Sequence, residues 1–135
     1  MAYKIEDIEG IGPSYATKLA GANIKSTDDL LELCCHAGGR KEVAGKTGIG
    51  ESQLLKWANM ADLMRISGVG SEYAELLEAA GVDTVKELGT RNSGNLAEKM
   101  KEVNEHKKLT RAVPAATVVD KWVDQAKTMK PKITH

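Results

Sequence analysis

Three short turns in this sequence join a glycine pair to the start of a helix, a combination that offers unpaired backbone N–H groups to an anion. The clearest is Gly68-Val69-Gly70, after which Ala74 and Leu77 follow at the i+4 and i+7 spacing of one helix face. Glycine takes positive φ, or admits another group close to the backbone, without a Cβ penalty. The first N–H groups of a helix have no intrahelical partner and lie at the positive end of its dipole, so a phosphate or carboxylate is stabilised there.

The turn recurs. Gly10-Ile11-Gly12 is followed by Tyr15, Ala16 and Leu19, and these match Tyr73, Ala74 and Leu77 at one constant offset. Ala22 with Ala80, Ile24 with Val82, Ser26 with Thr84 and Leu30 with Leu88 continue the match at the same offset. This is an internal duplication, and a repeat sets the fold before any single element does. Gly48-Ile49-Gly50 is a third turn, with Leu54 and Trp57 at the four and seven spacing. Ala112-Val113-Pro114-Ala115, followed by Val119 and Trp122, reads as a fourth that has lost both glycines.

The pattern hydrophobic-x-Gly-hydrophobic-Gly-x-x-x-Ala-x-x-Leu resembles the helix-hairpin-helix motif of DNA repair and replication proteins. Four such turns, with residues 57–65 joining the second to the third, resemble a bacterial family of small tandem helix-hairpin-helix proteins described as a domain of unknown function. The resemblance implies an all-α fold of four helix-hairpin-helix units in two tandem pairs, residues 1–62 and 63–135, sharing a long helix over 51–65. It implies that Gly10, Ile11 and Gly12, Gly48, Ile49 and Gly50, and Gly68, Val69 and Gly70 present backbone amides to DNA phosphates, without reading sequence. The same glycines also serve to bring two helices together at a tight angle, and such units act elsewhere as protein-interaction or structural modules.

Flanking charge ranks the turns. Lys46 and Lys56 flank the second, Lys18 follows the first, and Glu72, Glu75 and Glu78 follow the third with no cation in its helix. Carboxylates at a helix start already complement the dipole and repel phosphate. The second turn is therefore the best phosphate candidate, the first is next and the third is the weakest. Lys107, Lys108 and Arg111 before the fourth turn form a further basic edge, which a solvated helix face also explains.

Composition limits the other chemistries. The 135 residues hold 19 basic and 19 acidic side chains for a net charge of +0, unlike the basic surface of a dedicated nucleic-acid binder. Cys34 and Cys35 are the only cysteines, and neighbouring helical positions diverge by about 100°, so one is expected buried and the other exposed, with no metal site. No catalytic constellation appears, and no cofactor motif: His36, His106 and His135 lack Ser, Cys or Asp partners at motif spacing. Lys4, Glu6 and Asp7 interrupt any leader-like apolar run, and no stretch approaches a membrane span, so a reduced, cytoplasmic setting is expected.

The elements that must hold the turns follow from caps and breakers. Helices are expected over 3–8, from Pro13 to about Leu19, from Ser26 to about His36 with Gly38-Gly39 as terminator, and over 40–45. Further helices are expected over 51–65, from Gly70 to Gly81, from Thr84 to about Gly89, from Asn92 or Asn95 to about Lys108, and over 116–127, with 130–135 frayed. Phenylalanine is absent, so Trp57 and Trp122 are the large core pieces. Non-specific DNA binding is the function expected; a protein-interaction or scaffold module without DNA binding is the alternative, and neither is an enzyme.

Overall fold

Glycine and short polar residues punctuate the chain, and most of its helices begin or end at them. The computed structural model describes residues 3–134. Within them lie α1 Pro13–Ala20, α2 Thr27–Cys34, α3 Ala37–Thr47, α4 Glu51–Leu63, α5 Ser71–Ala79, α6 Val85–Leu88, α7 Ser93–Lys107 and α8 Ala116–Thr128. One antiparallel bridge, Lys4 to Ser26, is the sole β-pairing among the described residues, and the fold is all-α.

Three helices start on side-chain caps: Ser26 Oγ accepts from the Asp29 N–H at 3.1 Å, Thr84 Oγ1 from Glu87 at 3.3 Å and Asn92 Oδ1 from Asn95 at 3.0 Å. Each satisfies one donor that the helix itself leaves over. Pro13 opens α1, where its missing N–H costs nothing.

One core runs through both copies of the repeat, from Ile5 to Ala126. Trp57 on α4 and Trp122 on α8 are buried in it. Trp57 packs beneath the first turn, where a Cβ on Gly10 would lie 3.5 Å from Nε1; Trp122 sits in the same way beneath the third, 3.2 Å from a Cβ on Gly68. Tyr15 meets the Trp57 ring at 5.1 Å between centroids, and Tyr73 meets Trp122 at 5.3 Å. The duplication read from spacing is thus a duplication of packing.

Three expectations are corrected. Residues 3–8 hold only a single 3-10 turn, Ile5–Asp7, because the segment is drawn out to pair with the chain before α2: Tyr3 N–H donates to Thr27 Oγ1, and Thr27 N–H to the Tyr3 carbonyl at 2.9 Å. Gly38 and Gly39 do not terminate a helix; α2 ends at Cys34, and both glycines lie in the first turn of α3. Their place there is a matter of approach, since a Cβ on Gly39 would collide with the Leu33 carbonyl, while a Cβ on Gly38 meets nothing. The tail through Thr134 is not frayed. Thr134 N–H donates to the Cys35 carbonyl at 2.8 Å, and its carbonyl accepts from Arg40 at 2.8 Å; His135 lies outside the described residues.

Two buried polar groups tie corners that the spacing of apolar residues does not reveal. Arg40, 4% exposed, also donates to the Cys34 carbonyl at 3.0 Å, closing the C-terminal end of α2. Asp62, 1% exposed, takes Arg65 on Oδ1 and the Val85 N–H on Oδ2 at 2.8 Å, so its carboxylate joins the end of α4 to the start of α6.

The two neighbouring glycines give a paired prediction. Gly39→Ala should destabilise the protein by about 1–3 kcal/mol through overpacking, whereas Gly38→Ala should be neutral or stabilise by up to about 1 kcal/mol through helix propensity. Chemical denaturation of both variants checks this, and equal effects would refute the close approach.

Candidate nucleic-acid interface

Each glycine turn divides into a residue the backbone needs, one the core needs and one that neither needs. The first glycines have positive φ: +94° at Gly10, +75° at Gly48 and +91° at Gly68. Any side chain there is strained. The middle residues Ile11, Ile49 and Val69 are buried anchors. The second glycines, Gly12, Gly50 and Gly70, are N-caps with ordinary negative φ (−86°, −62° and −92°), and a Cβ on any of them meets nothing within 4 Å. Neither conformation nor packing calls for glycine there.

The amides narrow accordingly. Ile11 N–H donates to the Ile8 carbonyl at 3.1 Å, Val69 N–H to Ile66 at 3.0 Å, Ile49 N–H to Thr47 Oγ1 at 3.2 Å and Gly48 N–H to Ala44 at 2.9 Å. Among the described residues, the amides of Gly12, Gly50 and Gly70 are thus left without a partner in the turns. They are joined by the first N–H groups of the helices behind them: Glu51 and Ser71 in α4 and α5, and Ser14 in α1, since Pro13 has none. α1, α4 and α5 have no side-chain cap, unlike α2, α6 and α7.

The turns are not spread evenly over the surface. Glu9 N–H donates to Ser71 Oγ at 2.8 Å, which sets the first turn beside the start of α5. That junction is acidic. Glu75 and Glu78 have their carboxyls pushed above the ordinary range, first by burial; Glu9 and Glu72 raise Glu75 further, and Asp83 and Glu75 raise Glu78. Lys56 and Lys107 pull both back down, so these two cations, candidates for phosphate from sequence, face the acidic flank of α5. Glu78 Oε2 is buried without a hydrogen-bond partner.

The other basic candidates are all exposed. Lys18 is exposed, with Nζ 5.7 Å from the centre of the Tyr15 ring. Lys46 is exposed and pairs with Glu42 at 3.4 Å, a solvated contact of little energetic weight. Lys107, Lys108 and Arg111 are exposed at the end of α7 and in the loop after it. The glycine-free fourth turn is held by side chains instead: Asn104 brackets Thr110 at 3.0 and 3.1 Å, and Tyr73 donates to the Ala112 carbonyl at 3.3 Å. Ser71, which joins two turns, escaped the sequence reading because its partner is remote in the chain and is a backbone group.

Cys34 is buried and Cys35 half-buried. Burial pushes the Cys34 thiol up to about 11, with Arg40 pulling against it. Among the described residues no three His, Cys, Asp or Glu side chains are placed to hold a metal ion, and no helix is long and apolar enough to cross a membrane.

The fold and its turns define an all-α protein that repeats a glycine turn at uncapped helix starts. A family model matches residues 9–129, and the chain belongs to that family, DUF4332, described as a domain of unknown function. No curated protein and no solved structure matches it.

The raised Glu78 carboxyl fixes the sign of a pH effect. A carboxyl whose folded pKa lies above its unfolded one favours the folded state most below the ordinary glutamate range, and that contribution is lost as pH rises through the raised value. Glu78→Gln should therefore have a higher Tm than the parent at pH 7, with the gap closing toward pH 4. Thermal denaturation at both values tests this; a gap independent of pH would show that ionisation is not its source.

Proposed function

We propose that this chain comprises four helix-hairpin-helix units in two tandem pairs and binds duplex DNA without reading sequence, by amides at the starts of α4 and α1 donating to phosphate oxygens. The observation that carries this reading is the second glycine of each turn. It caps a helix with no side chain, in a backbone conformation open to any residue, with empty space where a Cβ would stand. A group that must come close to the amides supplies the missing reason for glycine. Lys46 and Lys18 add exposed positive charge near these two starts.

A second reading, a protein-interaction module, draws on the acidic flank of α5 and on net neutrality. A basic partner segment would suit Glu72 and Glu75 better than a phosphate would. Both readings are binding functions, and neither assigns a reaction.

The test is fluorescence anisotropy with a labelled non-specific duplex across a salt series, because phosphate contacts release counterions and weaken as salt rises. The variant to compare is Gly12→Asp/Gly50→Asp. Aspartate is a good N-cap and should leave stability within a few tenths of a kcal/mol per site or raise it, while its carboxylate occupies the amides and repels phosphate. The parent should bind with a steep salt slope and the variant at least tenfold more weakly. Equal affinities would sink the amide mechanism. Absence of binding at low salt would leave the interaction-module reading, which recovery of a discrete protein from nuclease-treated lysate would then support.

A further inference from the structure

After α8 the chain doubles back across the joint between the two halves and finishes on the first. The returning segment is extended and tied at its ends. The Lys130 carbonyl accepts from Arg65 at 3.0 Å. Thr134 is held by its N–H on the Cys35 carbonyl at 2.8 Å, by its carbonyl on Arg40 at 2.8 Å and by its hydroxyl against His36 Nδ1 at 2.8 Å. Between the ties, Pro131 and Lys132 are exposed, and Ile133 alone packs on the core. Pro131 and Lys132 form one wall of a cleft of about 560 Å³, whose other wall carries Asp28, Glu32, Cys35 and His36.

We propose that residues 130–134 act as a displaceable clasp: they close the α2–α3 corner and couple it to the joint between the halves, and they release as a unit without unfolding the core. The ties have the composition of a detachable contact. They are hydrogen bonds to backbone, to two arginines and to the His36 ring, with one half-buried aliphatic side chain, whereas the helices beneath are held by fully buried leucines, isoleucines and tryptophans. Segments with few buried apolar contacts open at free energies below that of global unfolding. On release, Arg40 keeps its bond to the Cys34 carbonyl and gains water, so no charge is stranded. At the other end Arg65 keeps Asp62, and Asp62 keeps the Val85 N–H, so the core joint survives as well. The cleft then opens along α2, and Cys35 loses the wall opposite it. Cys34 stays under the core.

This contrast supplies the readout. In the 135-residue chain, Thr134→Pro removes the N–H and hydroxyl ties, and Ile133→Asp removes the apolar one; Thr134→Ser, which keeps both of these polar ties, is the control. Native-state labelling with a thiol disulfide reagent, located by mass spectrometry, should be at least tenfold faster at Cys35 in Thr134→Pro and Ile133→Asp. Cys34 should be unchanged and the control should match the parent. Two results overturn the clasp. Unchanged labelling of Cys35 in both variants would mean that the segment does not cover the cleft. Parallel acceleration at Cys34 and Cys35, with a lowered unfolding midpoint, would mean that the segment belongs to the core.

Discussion

An indole seated against backbone that lacks a Cβ is the contact on which this fold turns, and it is made twice. Trp57 reaches the first turn from α4, and Trp122 reaches the third from α8. In each case the ring belongs to the helix that follows the next turn along the chain. A lone helical pair would leave its apolar face wet, and here the neighbouring unit covers it. With no phenylalanine, two tryptophans fill what would otherwise be large voids in a core of leucine, isoleucine, valine and alanine. The positive φ at Gly10 and Gly68 and the room for the ring are one requirement, because the same missing Cβ serves both.

That requirement separates the glycines into two populations. Gly10, Gly48 and Gly68 are explained by the fold: without them the backbone is strained, and at Gly68 a Cβ would also crowd the Trp122 indole nitrogen at 3.2 Å. Gly12, Gly50 and Gly70 are not. A helix start gains from Ser, Thr, Asp or Asn at the cap, and this chain uses such caps at α2, α6 and α7. Glycine in their place at α1, α4 and α5 forgoes that stabilisation at the helix starts that follow a glycine pair.

The repeat, the side-chain-capped starts of α2, α6 and α7 and the plugging tryptophans were legible because each is a local pattern: constant offset, cap chemistry, and helical spacing. What was not legible is long-range and polar. Gly38-Gly39 looked like a terminator because glycine spacing does not distinguish a helix end from a helix start pressed against a neighbour's carbonyl. The drawn-out first segment and the docked tail gain their order from partners at Ser26, Thr27, Cys35 and Arg40, and no periodicity encodes such pairings. At the candidate site, the glycines and flanking charges could be read directly. That Lys56 and Lys107 face the carboxylates of α5 could not, since this depends on how three helices pack.

The two copies of the duplication have kept the same packing and moved apart in charge. The constant offset sets Ser14, Thr17 and Ala20 of α1 against Glu72, Glu75 and Glu78 of α5. Packing cannot account for the difference, since the tryptophan and tyrosine beneath each turn are arranged alike. Electrostatics can. The start of α1 leaves its dipole uncompensated and open to an external anion, while Glu72 in the first turn of α5 compensates that helix internally. The carboxylates behind it are partly buried, and Glu9 from the first copy crowds Glu75, which costs stability. Lys56 and Lys107 offset part of this repulsion. The duplication thus sets a helix start without a carboxylate in its first turn beside one that carries Glu72 there. The asymmetry lies in the side chains behind the turns, and the turns themselves are conformationally the same.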